Sequence, residues 1–261
     1  MITGASDGIG REMALRLAEA GLNLVLVARR RDVLDHIAAD LTVRHGIETR
    51  VISVDLALET AVETVTTGTD GLDVGLLVAA AGFGTSGRFI DAQLEQELAM
   101  VNVNCRAVMA LCLHFGRRIA GRKRGGIILM GSLLGFQGVP HAAHYAATKA
   151  YVQSLAEALH VELAPLGVDV VASAPGPVHS GFAARAGMRL GLALTPRDIA
   201  QATLDALGRR ATVRPGWLSK FLEGALVPLP RWARVRVMGM IMNGMTRHVH
   251  GDQKTSAVKS G

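Results

Sequence analysis

Cysteine is almost missing from this 261-residue chain, and the 2 that occur, Cys105 and Cys112, stand seven apart on one predicted helix, where a disulfide between them is geometrically excluded. Charge is sparse too, at 19% against 49% hydrophobic residues, which excludes an intrinsically disordered chain and leaves ample material for a core. The sequence shows no apolar run of membrane-spanning length, no opening signal peptide, no internal repeat and no low-complexity linker. His141 and His144 have no carboxylate or cysteine spacing around them, so no metal site is expected. The 28 Lys+Arg outnumber the 22 Asp+Glu, but no recognition module accompanies them, and nucleic acid is not an expected partner. The net charge of +6 suits an anionic ligand or an anionic membrane surface equally well. These absences leave a soluble, cytoplasmic protein with one large domain as the expectation.

Glycine, by contrast, is plentiful at 30 residues, and it falls where turns and motifs need it. Short β-branched, apolar runs (Leu22–Ala28, Thr49–Leu56, Val74–Gly82, Gly125–Ser132, Val168–Gly176) read as buried parallel strands. Between them lie helical stretches at Arg11–Ala20, Arg31–His45, Leu94–Ile119, Tyr145–Leu163 and Pro196–Arg210, the last opened by Thr195 as N-cap and Pro196 at the first helical position. Alternation of this kind predicts an α/β fold: a Rossmann-type, doubly wound parallel β-sheet with helices on both faces, in a single domain. Such sheets bind ligands at the carboxyl ends of their strands. The unusual loops lie at those ends.

The first is "TGASDGIG", Thr3–Gly10, where Gly4, Gly8 and Gly10 permit a tight turn and close approach to a pyrophosphate. The helix beginning near Ile9 aims free amides and the positive end of its dipole at that group. After the second strand an acid would ordinarily receive an adenosine 2′-hydroxyl, but "VARRR" puts Ala28 there, followed by Arg29, Arg30 and Arg31. Arginines without the acid suit a 2′-phosphate, so NADP(H) is expected over NAD(H).

The second is "GSLLGFQGVPHAAHYAATK", which sets one of the 2 tyrosines, Tyr145, thirteen positions after Ser132 and four before Lys149. At i and i+4 on a helix the phenol and the ammonium share a face. A phenol is a weak proton carrier near neutral pH, and an adjacent cation is expected to lower its pKa. Ser132, at a strand end, is placed to donate a hydrogen bond to a substrate oxygen as charge develops there. Asn104, on the preceding helix, is a candidate anchor for a water that carries protons onward from Lys149.

Taken together, "TGASDGIG", "VDL" with Asp55, "AAAG" at 79–82, "NVNCRAV" with Asn104, Ser132, "YAATK" and "PGPVHS" resemble the short-chain dehydrogenase/reductase family in its compact single-domain branch. The resemblance is collinear from Thr3 to about Phe182. It implies Tyr145 as catalytic acid/base, Lys149 as its partner and a ribose ligand, Ser132 as the substrate-orienting donor and Asn104 as a relay. Cofactor contacts are implied for Gly4, Ser6, Asp7, Gly8, Ile9, Gly10, Arg29, Arg30, Asp55, Leu56, Ala80, Ala81, Gly82, Asn104, Tyr145, Lys149, Pro175, Gly176, Val178 and Ser180. Ser6 and Arg29 would meet the 2′-phosphate, and a homodimer or homotetramer is the implied assembly.

Three departures stand out. Ala79-Ala80-Ala81-Gly82 replaces the family's Asn-Asn-Ala-Gly, which removes two amide side chains beside the cofactor channel. Only Met1 and Ile2 precede the glycine loop, so the central strand is short, and the expectation is either that the native product begins upstream or that this form is less stable than one with a few apolar residues restored. The C-terminal part, Trp217–His250, is basic, apolar and methionine-rich. It reads as a helix pair packed on the domain or a second subunit, or as a lid or peripheral membrane contact through 217–250. Pro228 and Pro230 exclude one continuous helix across it. The expected division is a nucleotide-binding and catalytic domain over 1–215 with a substrate lid at about 179–195, an extension over 216–250, and a disordered tail over 251–261.

The loops after the strands supply Phe83, Leu134, Phe136 and Phe182 beside Ser132 as substrate contacts, which favours a small to medium apolar carbonyl compound or its alcohol. The expected function is NADP(H)-dependent oxidoreduction of a carbonyl/alcohol pair by hydride transfer. The other readings are a non-catalytic NADP(H)-binding regulator and a nucleotide-sugar epimerase or dehydratase, for whose added substrate domain the chain is short.

Overall fold

The computed structural model describes residues 1–178, 193–216, 224–226 and 228–257, with side chains as far as Gly244. Strands β1 (Ile2–Thr3), β2 (Leu24–Ala28), β3 (Thr49–Ser53), β4 (Leu76–Ala79), β5 (Gly125–Met130), β6 (Val168–Ser173) and β7 (Thr212–Val213) form one sheet. Its order is β3-β2-β1-β4-β5-β6-β7, with every adjacent pair parallel. Parallel neighbours need crossovers, and helices α1 (Gly8–Glu19), α2 (Arg31–His45), α3 (Ala61–Gly68), α4 (Leu94–Val101), α5 (Val108–Gly121), α6 (Ala143–Leu163) and α7 (Pro196–Ala206) supply them on both faces. That is why β2, "LVLVA", is buried at all five positions and shows no polar alternation. One face of the sheet packs Val27, Leu77, Ile127 and Val170 against Leu111, Phe115 and Ile119 of α5. The other packs Ile2, Leu26, Val78 and Ile128 against Met13 of α1 and Ile199 of α7.

The sequence predicts a single helix over 94–119. Instead Asn102–Ala107 forms a π-helical segment between α4 and α5, a widened stretch that sets Val103, Asn104 and Ala107 all inward. Leu94–Gly121 as a whole is 28 residues and apolar enough to cross a bilayer by length and composition, which the sequence reading did not anticipate. Met100, Val103, Leu111, Phe115 and Ile119 of this stretch are buried in the protein, as in a core helix.

The central strand is short, as expected. Ile2 pairs with Leu26 and Val78, and the Met1 amine takes up the Leu76 carbonyl at 2.8 Å. Burial pushes that amine down from 8.0 to about 5. At the other end, the last helix, α8 (Arg231–Ala257), begins directly after Pro230 and extends through the first residues of the stretch 251–261 expected to be a disordered tail. No proline interrupts it after Pro230, so its backbone hydrogen bonding continues.

Candidate active site

The strand ends and the loops that follow them enclose one cavity of about 660 Å³. At one end lies the glycine loop. Asp7 caps α1 by accepting from the Gly8 amide at 2.7 Å. Gly10 is required by contact, since a Cβ there would stand 2.4 Å from the Gly4 carbonyl oxygen. A side chain is thus excluded at Gly10, and at Gly4, where a Cβ would stand 2.9 Å from the Ala81 backbone, so a ligand's phosphates can approach the α1 N-terminus closely. Arg30 donates to the Ser6 carbonyl at 3.0 Å and to its hydroxyl at 3.2 Å, and stands 4.0 Å from Asp7. Arg29 lies 3.5 Å from Asp55, whose other oxygen accepts from the Ala57 amide at 3.0 Å. Both arginine side chains are more than half exposed, at 51% and 54%, so their guanidinium donors remain open to an anionic ligand. The donor set fits a phosphorylated dinucleotide.

At the other end the Ser132 hydroxyl hydrogen-bonds the Tyr145 phenol. Ser132 caps the 3-10 turn Leu133–Phe136 and accepts from the Leu134 amide at 3.2 Å, which fixes its side chain. Lys149, one turn after Tyr145 on α6, donates to the Met130 carbonyl at 2.7 Å, with its amine 5.8 Å from the Tyr145 ring centroid. Burial pushes the phenol up to about 12, against the pull of the Ser132 hydrogen bond, and pushes the Lys149 amine down from 10.5 to about 8. Burial thus acts against the lowering expected from the sequence, and desolvation outweighs the Ser132 hydrogen bond.

Most residues singled out in the sequence line this cavity: Gly4, Ser6–Gly10, Arg29, Arg30, Asp55, Leu56, Ala80–Phe83, Ser132, Leu134, Tyr145, Lys149, Pro175, Gly176 and Val178. Two of the others, Asn104 and Phe136, stand off its wall. The Asn104 amide nitrogen donates to the Phe83 carbonyl at 2.9 Å and to the Thr148 hydroxyl at 3.0 Å, and its oxygen accepts from the Phe83 amide at 3.2 Å. Both donors are engaged in clamping the end of β4 to α6, so the side chain holds these parts of the site together. Phe136 is not on the wall either; the Arg214 guanidinium stands over its ring at 4.4 Å, a cation–π contact. Ser180 and Phe182, like most of the expected lid at 179–195, lie outside the described residues. The ends of that segment meet at a parallel bridge between Val178 and Leu194.

A model of the short chain dehydrogenase family matches residues 1–189. The chain belongs to the short-chain dehydrogenases. A 7beta-hydroxysteroid dehydrogenase from Collinsella aerofaciens is 31% identical, over 84% of this chain and 86% of its own. A very-long-chain 3-oxoacyl-CoA reductase from Phaeosphaeria nodorum is 36% identical, over 99% of this chain and 78% of its own. Among solved structures, one of a 7beta-hydroxysteroid dehydrogenase superposes with a TM-score of 0.85 at 28% identity, covering 91% of this chain and 95% of that one. A short-chain dehydrogenase from Sphingobium yanoikuyae in complex with NADPH gives 0.78 at 30%, covering 87% and 92%.

Several residues of this short-chain dehydrogenase site are silent in its sequence. Thr148 accepts from Asn104 and donates to the Tyr145 carbonyl at 2.8 Å, tying the clamp to the helix that carries the phenol. Thr3 accepts from the Ala81 amide at 3.1 Å and so secures the strand end where two amides are missing. Next to Tyr145, His144 Nδ1 pairs with the buried Glu97 carboxylate, which also accepts from Thr85 at 2.8 Å. Thr148 alone leaves a trace in the sequence, as a poor helix former inside a helix. A further wall is α8, within the segment 217–250 for which packing on the domain or a lid was among the expectations; it brings Met238, Ile241 and Met242 to the cavity.

Proposed function

We propose that the protein is an NADP(H)-dependent oxidoreductase that interconverts a carbonyl and an alcohol on small molecules with an apolar body. The observation that carries this reading is the Ser132–Tyr145 hydrogen bond, with Lys149 one turn along, on the wall of the cavity whose far end holds the glycine loop and two open arginines. The Sphingobium yanoikuyae relative bound to NADPH and the exposed Arg29 and Arg30 support the phosphorylated cofactor.

The nicotinamide, when bound, gives or takes the hydride. Tyr145 moves the proton. With its phenol pushed up to about 12, it is held protonated at neutral pH and serves as donor to a carbonyl oxygen in the reducing direction. Ser132, fixed by its own cap, donates to the same oxygen as negative charge builds on it. Lys149 is placed to stabilise the phenolate left behind, through its charge beneath the ring. Asn104 acts as a positioning residue through Phe83 and Thr148. The apolar part of the substrate lies against Phe83 and Leu134.

The test is a panel of ketones and aldehydes incubated with NADPH and with NADH, followed by absorbance of the reduced nicotinamide, for wild type and Tyr145→Phe. The expected result is a rate loss of at least about 100-fold in the variant with cofactor affinity retained. Undiminished turnover in Tyr145→Phe would overturn the assignment.

A further inference from the structure

The final helix does more than cover the domain. Its residues Val235, Met238, Gly239 and Met242 recur at three- and four-residue spacing, one face of a helix. That face rests on the 138–142 turn just before α6. A Cβ at Gly239 would stand 3.1 Å from the Pro140 ring, so the glycine permits the close approach, and Val235 sits over Gly138. Met238 and Met242 are buried with Val139, Ala142 and Ala146, against Leu134. Ala146 follows Tyr145 directly. The packing therefore fixes α8 at the Tyr145 end of the cavity, away from the glycine loop, and Ile241 joins the two methionines on the wall there.

Among the described residues, the charged groups on the cavity wall other than Lys149 are Asp7, Arg29, Arg30 and Asp55, all at the far end. Beside the phenol, apart from Ser132 and Lys149, the side chains of the lining are hydrocarbon and thioether. Methionines bend to the shape of what they meet, and a wall of this kind rewards burial of an uncharged body. A small ketone would leave it uncovered.

We propose that α8 is the specificity wall of the active site, with Met238, Ile241 and Met242 selecting carbonyl compounds that carry a bulky hydrocarbon body, fused-ring or long-chain. This rests on the oxidoreductase reading and names its substrate class.

The test compares kcat/KM with NADPH for a tricyclic ketone, a long-chain ketone and butanone, in wild type, Ile241→Trp and Ile241→Ala. Ile241 is 37% exposed, so both replacements are accommodated by the fold. Ile241→Trp should lower the ratio of bulky to small ketone at least about tenfold, and Ile241→Ala should shift it the opposite way. Opposite shifts do not arise from loss of folding. A fall confined to the tricyclic ketone supports a ring-shaped pocket, and one confined to the long-chain ketone supports an acyl channel. Ratios unchanged within about twofold in both variants overturn the proposal. Binding of acetonaphthone, read by its fluorescence, separates the two readings. If wild type reduces no carbonyl yet Ile241→Trp weakens acetonaphthone binding, the wall stands and the oxidoreductase assignment falls. If wild type neither reduces a bulky ketone nor binds acetonaphthone, the wall falls as well.

Discussion

Lys149 offers a measurement in which chemistry and stability pull apart. Its amine is buried, donates to the Met130 carbonyl, and titrates near 8 where an ordinary lysine titrates at 10.5. Below pH 8 the folded and unfolded chains both hold the proton, and the fold bears the full cost of the buried ammonium. Between 8 and 10.5 only the unfolded chain holds it; above 10.5 neither does. The cost is thus present below pH 8 and fades as pH rises to 10.5, and a fall of this size corresponds to about 3 kcal/mol. Lys149→Met keeps the apolar stem and deletes the charge. It also leaves the Met130 carbonyl without this donor, a loss of about 1–3 kcal/mol that does not depend on pH. The two effects separate in urea unfolding at pH 7 and pH 10.5. The stability of the variant relative to wild type should be about 3 kcal/mol more favourable at pH 7 than at pH 10.5. Turnover should fall at least about 100-fold at both. A constant gap between the two curves would refute the reasoning, because it would mean that the amine is not desolvated in the folded protein.

Other predictions concern the cofactor end and the end of β4. Arg29→Asp sets a second carboxylate beside Asp55, and the NADPH/NADH efficiency ratio should fall at least about tenfold; an unaltered ratio counts against a phosphate clamp. Ala80 lines the cavity whereas Ala79 is buried in the apolar core. Melting curves should therefore show Ala80→Asn neutral or stabilised and Ala79→Asn destabilised by about 1–3 kcal/mol, the cost of an unpaired buried amide; equal effects at the two positions would contradict this.

The parallel core was legible because strands covered on both faces read as apolar runs, as β2, β4 and β5 do, whereas β3, with Thr49, Arg50 and Ser53, and β6, with Asp169 exposed, keep only part of that pattern. β7 was not, since Thr212–Val213 is too short for any periodicity and is defined by its partner Ala172–Ser173. α3, with Val62, Thr64, Val65, Thr66 and Thr67, is built from weak helix formers and holds through packing of Ala61 and Val65. The glycine loop and the Tyr145–Lys149 pair were readable because each depends on spacing within one element. The clamp from Asn104 to Phe83 and Thr148 depends on residues far apart in the chain, and no local pattern announces it; the apolar, methionine-rich run of α8 pointed to a packed helix or lid but not to which residues reach the cavity. Phe136 was misplaced for the same reason: its partner Arg214 lies 78 positions away.

The π-helical segment at Asn102–Ala107 has a consequence for any change of length there. An α-helix turns by about 100° for each residue, so excising one residue to restore regular winding would swing everything beyond it by that angle. Leu111, Phe115 and Ile119 would then leave the sheet for solvent, or Asn104 would leave Phe83. The surplus residue keeps two faces of one long helix in phase with two different neighbours, and this stretch will tolerate substitution far better than deletion.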